Sequence, residues 1–179
     1  MGATFELIAD SALQAEDPHD YPECHVCGTA GVPVYPCQGS LIGEGGPLDP
    51  SQDVYVACEA CLKQGRVAHL GERRTDALIG RYAADPAAAK ALLRRTPRIP
   101  FQMQGTDWPL CCGELAEFVG SPSSEEALIE AQAQGAFWNL GPASTDYDAR
   151  EDGPPESLRE VSLFRCRACE TLFWVFQPS

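Results

Sequence analysis

Nine cysteines carry most of the chemistry available to this 179-residue chain. Six form three C-x-x-C pairs: Cys24 and Cys27 in "CHVCG", Cys58 and Cys61 in "CEAC", Cys166 and Cys169 in "CRAC". A tight C-x-x-C turn points two sulfurs at one ion. A glycine directly after the second cysteine, as at Gly28, eases the turn because it tolerates positive φ. Two such pairs supply the four tetrahedral ligands of a structural zinc. Cys24, Cys27, Cys58 and Cys61 match that pattern. Their spacer is longer than the usual ~15–20 residues, but the excess is a Gly- and Pro-rich stretch whose closure costs little entropy. The third pair needs partners among Cys37, Cys111 and Cys112, and spacing alone does not choose. Adjacent ligands are awkward in an extended chain, where neighbouring side chains diverge. The competing chemistry is a thioredoxin-like redox pair. It needs only one C-x-x-C, usually at the start of a helix, whereas three pairs here adjoin strand-like segments.

Other catalytic patterns are missing. The histidines are His19, His25 and His69. His25 reads as a turn filler inside the first knuckle, and His19 sits in a polar linker. There is no nucleophile elbow, phosphate loop or His-Glu zinc motif. Cys37 has no activating base or cation close in sequence. A closed four-cysteine shell also leaves no open position for a catalytic water, so a catalytic role is not expected.

Composition narrows the setting. The chain has 44% hydrophobic and 22% charged residues, as globular proteins do. The opening "MGATFELIAD" lacks the basic start and apolar core of a signal peptide, and no apolar run approaches the roughly 20 residues of a membrane helix. A cytoplasmic location is the expectation, and a reducing thiol pool there disfavours stable disulfides. The net charge is −13. Residues 1–62 hold no Lys or Arg at all, residues 63–113 are net basic, and residues 114–160 are strongly acidic. Such a surface repels phosphates and attracts basic proteins. A basic protein partner, possible toxins included, is therefore expected; nucleic acid is disfavoured and no membrane role is foreseen. The basic middle (Arg73, Arg74, Arg94, Arg95, Arg98) can pair with the protein's own acids as readily as with phosphate.

The elements that position the cysteines follow from local pattern. "FELIAD" suggests a short strand, and "VPVYP" and "DVYVAC" read as strands. The intervening "CQGSLIGEGGPLDPSQ" reads as a loop. "RRTDALIGRYA" and "DPAAAKALLRR" read as helices, the second capped by Asp85 with Pro86 in its first turn and stopped before Pro97. "SPSSEEALIEAQAQGAF" repeats the helix signal. "NLGPASTDYDAREDGPPES" is a turn-rich acidic loop, and "VSLFRCRACETLFWVFQ" is two strands joined by a knuckle. Trp108, Phe137, Trp138, Phe173, Trp174 and Phe176 read as core rather than as base-stacking surfaces. No repeat of fixed period appears beyond the cysteine pairs.

"CHVCG…VYP", "CEACLKQG", "RTPRIPFQMQGTDWPLCCGELAEFVG" and "VSLFRCRACETLFWVF" together resemble the CbrC family, known for colicin tolerance, over about Phe5 to Phe176. The most specific block is Arg95-Thr96-Pro97, Gln102, Trp108, Cys112, Gly113 and "EFVG". Cys111 stands where that family has His. This is an exchange between two zinc ligands, so the resemblance implies a second site of Cys111, Cys112, Cys166 and Cys169. Cys37 falls where the family has no cysteine, which implies a free thiol. The chain departs from the pattern where an early His-Pro segment is replaced by "ELIADS" and where Phe101 replaces Trp.

The combined expectation is an α+β fold of small zinc-pinned β-ribbons and hairpins with a helical middle segment. It forms a single domain over 1–179, with a zinc-knuckle half at about 1–72 and the helical middle and second knuckle at about 73–179. Two structural zinc ions are expected. The expected function is non-catalytic and immunity-like, an acidic surface engaging a basic partner in toxin tolerance. The alternatives are a zinc-ribbon nucleic-acid module and an enzyme with an incomplete metal shell.

Overall fold

A computed structural model describes residues 2, 4–43, 46–47, 53–69, 72–99, 108–134, 136–137, 153 and 155–176. Helices and strands are mixed. The first sheet is built around a long strand, β1 (Val34–Gly43), which forms a hairpin with β2 (Gly46–Pro47) and pairs antiparallel with β3 (Asp53–Cys58) and β4 (Val67–His69). Cys58 leads straight into a short helix, α1 (Glu59–Lys63). The expected loop from Cys37 onward is therefore largely strand. Local Gly and Pro content argued against it, but pairing on both sides of β1 supplies the hydrogen bonds. Pro36 itself stays in register with Val56, and the shift between Pro36 and Gly39 places a bulge directly after it, at Cys37 and Gln38.

Two helices follow, α2 (Glu72–Tyr82) and α3 (Pro86–Arg94). The Asp85 carboxylate accepts a hydrogen bond from the Ala88 amide at 3.0 Å, and Pro86 fills the first turn, as the sequence predicts. A two-stranded hairpin, β5 (Leu110–Cys111) with β6 (Glu114–Leu115), precedes β7 (Glu117–Gly120). Helix α4 (Glu125–Gln134) opens with two acids, and the Ser124 hydroxyl accepts from the Ala127 amide at 3.2 Å. After β8 (Ala136–Phe137) comes a single 3-10 turn, Leu158–Glu160. Strands β9 (Val161–Arg165) and β10 (Leu172–Phe176) then close a second sheet in the order β7-β9-β10-β8. The acidic stretch with Asp146, Asp148, Glu151 and Asp152 lies outside the described residues, as do Phe101, Gln102 and Trp138.

Residues 5–8 form a tight turn with isolated bridges instead of the expected strand. Its role is to join the two sheets. Ile8 bridges Phe118 on β7, the Phe118 amide donates to Leu7 at 2.8 Å, and the Ala9 amide donates to Phe118 at 2.9 Å. Farther on, the Glu16 amide donates to Val34 on β1 at 2.9 Å. One apolar cluster accordingly contains Phe5, Leu7, Val34, Val54 and Leu62 together with Trp108, Leu115, Phe118 and Phe164. Trp108, 1% exposed, packs edge-on against Phe164 at 5.4 Å. Its indole nitrogen donates to the Ala116 carbonyl at 2.7 Å, so the polar end of this large ring is satisfied. Phe173 and Trp174 are also buried.

Trp108→Ala removes a fully buried ring and leaves the Ala116 carbonyl without its donor. It is expected to cost about 3–5 kcal/mol. Urea unfolding followed by circular dichroism should show the midpoint fall accordingly, and a midpoint unchanged from wild type would contradict this packing.

Candidate metal centres

The first knuckle is built by its backbone. The Cys24 amide donates to Thr29 at 3.0 Å and the Gly28 amide to Cys24 at 2.8 Å, with Gly28 at φ +69°. The knuckle lies along the outer edge of β3. The His25 amide donates to the Val56 carbonyl at 3.3 Å, and the Cys58 amide donates to the Cys24 sulfur at 3.2 Å. An edge that would otherwise present open hydrogen-bonding groups is thus covered. Cys58 ends β3 and caps α1, and Cys61 lies one turn inside that helix. The "CEAC" pair therefore does open a helix, which corrects the expectation that all three pairs merely flank strands. Its two sulfurs face two further sulfurs, however, and not a lone redox partner. The sulfur atoms of Cys24, Cys27, Cys58 and Cys61 all lie within 4.8 Å of one another.

The second group repeats the design. The Cys166 amide donates to Thr171 at 2.8 Å and the Glu170 amide to Cys166 at 2.9 Å. Glu170 takes the place of Gly28 and adopts φ +61°, a left-handed backbone that is uncommon for a residue with a side chain. The facing ligands come from the β5–β6 hairpin, whose two turn residues, Cys112 (φ +54°) and Gly113 (φ +81°), both have positive φ. That is the backbone of a tight primed hairpin turn. It explains why adjacent cysteines can share a site: Cys112 is not extended, so its side chain does not diverge from that of Cys111. The two sulfurs are 3.8 Å apart, and Cys111 lies 3.6 Å from Cys169. Cys111, Cys112, Cys166 and Cys169 again fall within 4.8 Å of one another. Gly113 is required twice over, since a Cβ there would stand 3.0 Å from the Ala84 side chain.

The distances discriminate between chemistries. A tetrahedron with Zn–S bonds of about 2.3 Å has edges of about 3.8 Å. The sulfur separations are 3.9 Å for Cys27–Cys58 and 3.8 and 3.6 Å in the second group. A disulfide needs about 2.05 Å, and no cysteine is disulfide-bonded. The electrostatics agree. The Thr29 hydroxyl, 3.2 Å from the Cys27 sulfur, and the Thr29 amide hold that thiol at about 6. Thr171 does the same for Cys169, also at about 6. Burial pushes Cys58 and Cys61 up, and burial with the neighbouring Cys166 pushes Cys111 up to about 12. Four thiolates so close repel one another, so full ionisation requires a compensating cation. Two groups that could each hold a metal ion are therefore present.

All eight predicted ligands are brought together in the predicted sets, and none of the histidines joins them among the described residues. His25 instead accepts a hydrogen bond from the Tyr55 amide at 3.5 Å, and the His69 side chain lies outside the described residues. Cys37 stands apart in the β1 bulge, buried, with its sulfur 3.8 Å from the Val54 carbonyl. Burial pushes its thiol up to about 12. The sequence reading missed Thr29 and Thr171. The signal was present: both knuckles read C-x-x-C-x-T, as "CHVCGT" and "CRACET". It also missed Arg167, whose guanidinium ties the second knuckle to Glu6 at 3.6 Å and to Glu114 at 3.4 Å.

Cys37→Ser is expected to leave metal content unchanged. In the folded protein Cys37 should resist alkylation at mildly alkaline pH and react only after unfolding, as mass spectrometry would read. Gly113→Ala, by contrast, forces a side chain into a positive-φ turn against Ala84 and should cost about 1–3 kcal/mol, visible as a lower melting temperature.

Residues 18–176 match the model of the uncharacterised protein family UPF0167, a span that includes all nine cysteines. No curated protein and no solved structure matches the chain. With both four-sulfur groups inside the matched span, the chain belongs to the uncharacterised protein family UPF0167.

Proposed function

We propose that the protein is a non-catalytic binding protein stabilised by two structural zinc ions, whose acidic surface engages a basic macromolecular partner. The observation that carries the zinc reading is the pair of four-sulfur groups with separations near a tetrahedral zinc edge. A four-sulfur shell fills every position of a tetrahedral ion, which favours a structural over a catalytic metal. Charge motivates the partner. The net charge is −13 without metal, and each ion held by four thiolates adds about −2. Within the net-basic stretch of residues 63–113, Lys63 pairs with Glu59 at 2.6 Å and Lys90 with Asp76 at 3.4 Å. This weighs against the nucleic-acid alternative. No described helix is long and apolar enough to cross a membrane. The toxin-tolerance theme comes from the resemblance to the CbrC family. It fits an immunity-like mechanism in which acidic side chains occupy the cationic surface of a toxin such as a nuclease.

Elemental analysis of the purified protein is expected to find about two zinc ions per chain. Cys58→Ser should lower that to about one and unfold the first sheet, because the binding free energy of a structural zinc, on the order of 10 kcal/mol, is folding free energy. Chelation of the wild type should cause the same loss in the far-ultraviolet spectrum. No bound metal, or a spectrum unchanged by both treatments, would sink the structural-zinc reading. For the partner, a salt titration should weaken a complex with a basic protein, whereas tight binding to duplex DNA would favour the alternative.

A further inference from the structure

Three rings gather where the first knuckle covers β3. Tyr55 projects from the solvent side of the strand and is 49% exposed, on a strand whose Val54 and Val56 point into the core. The exposed His25 ring stands edge-to-face with it, 6.3 Å between centroids and 85° between planes. Tyr21, half-buried, stands edge-to-face with His25 at 5.9 Å and 61°. Packing does not account for an exposed tyrosine here, since the edge of β3 is already satisfied by the knuckle backbone.

One carboxylate touches these rings, and three more lie beside them in sequence. The Tyr55 hydroxyl donates to Asp53 at 3.3 Å. The turn that delivers Tyr21 is closed by the Tyr21 and Asp20 amides on the Asp17 carbonyl, at 2.9 and 3.1 Å, so Asp17 and Asp20 travel with it. Glu23 follows directly before Cys24. All four acids are exposed, and none forms an ion pair with a described residue. No Lys or Arg occurs in residues 1–62.

Aromatic faces attract cations through their ring quadrupole, and adjacent carboxylates add a long-range attraction. The same carboxylates repel phosphate, so a nucleic acid is the wrong occupant. We propose that the Tyr21–His25–Tyr55 patch, with Asp53, is the docking surface for an arginine- or lysine-bearing segment of a basic protein. This inference rests on the basic-partner reading above and assigns it a place. The knuckle holds two of the rings on or beside a backbone pinned by the first cysteine group, so the surface is preformed and little ordering is required on binding.

The probe is a capped peptide of alternating arginine and glycine, with a citrulline version as its uncharged control, titrated into the intact zinc-loaded protein. Amide shifts in nuclear magnetic resonance should cluster on Tyr21, His25 and Tyr55, and the citrulline peptide should bind far more weakly. Tyr55→Leu should weaken arginine-peptide binding roughly fivefold, and Tyr55→Phe should restore it. Asp53→Asn, an exposed change that any outcome of the Tyr55 variants leaves readable, should weaken binding and flatten its salt dependence. Zinc content and circular dichroism equal to wild type establish that each variant is folded. Arginine-peptide binding unchanged in both Tyr55→Leu and Asp53→Asn would overturn the patch while leaving the basic-partner reading in place. Equal binding of the citrulline peptide, preference for a single-stranded oligonucleotide, or no peptide binding at all would overturn both.

Discussion

Four thiol sulfurs packed within 4.8 Å cannot all ionise unless positive charge sits among them. Both ends of this protein are arranged around that constraint. In each group one sulfur is held near the thiolate form by a threonine, while Cys58 and Cys61 in the first and Cys111 and Cys112 in the second are pushed toward the thiol by burial or by neighbouring cysteines. The backbone has already accepted the strain of bringing them together. Cys112 and Glu170 adopt left-handed conformations that non-glycine residues generally avoid, each at a cost of order 1 kcal/mol or more. That strain persists where the surroundings offset it, and a dication bound by four thiolates is a sufficient source.

The rest of the fold depends on those anchored turns. The first knuckle seals the open edge of β3, and the second joins β9 to β10 while facing the β5–β6 hairpin. The sheets and hairpins themselves are small, and short hairpins are marginal alone. Among the described residues they are packed by a main apolar cluster around Trp108, Phe118 and Phe164, which also contains Cys24, Cys58, Cys61 and Cys166, and by a smaller one of Leu128, Val161 and Trp174. The N-terminal turn at residues 5–8 connects the two sheets by pairing with β7, and Glu6 reaches Arg167 in the second knuckle. The Arg167 ion pairs of the second knuckle and the backbone pairing of the first residues thus meet at the same turn.

The residues that carry chemistry were legible because metal-ligand spacing is local. A C-x-x-C turn closes through bonds within six residues, so its geometry is written in adjacent positions. The helices were legible for the same reason: Asp85, Pro86 and the acids at the start of α4 act within one turn. The sorting of Cys111 and Cys112 with Cys166 and Cys169 was implied by resemblance, and the geometry that permits it was not visible. Seen as extended chain, adjacent cysteines diverge; only the paired register of Leu110 with Leu115 makes Cys112 a turn residue.

What the sequence alone determined is the set of knuckles, the capped start and proline stop of α3, the acidic start of α4, and the mixed α and β content. These depend on interactions a few residues long. The sequence pattern ran α4 on through Phe137, where the structure has β8. The tertiary structure decided the rest. It turned the Gly- and Pro-rich stretch after Cys37 into the central strand β1, because pairing with β3 and β4 from both sides outweighs a weak local preference. It made the first residues a clasp between sheets instead of a strand, and it placed Tyr21, His25 and Tyr55 on one surface. Each of these outcomes joins residues from different parts of the chain, such as Val34 with Cys58, His25 with Tyr55 and Ile8 with Phe118, and no local pattern encodes such a contact until the chain has closed around its core.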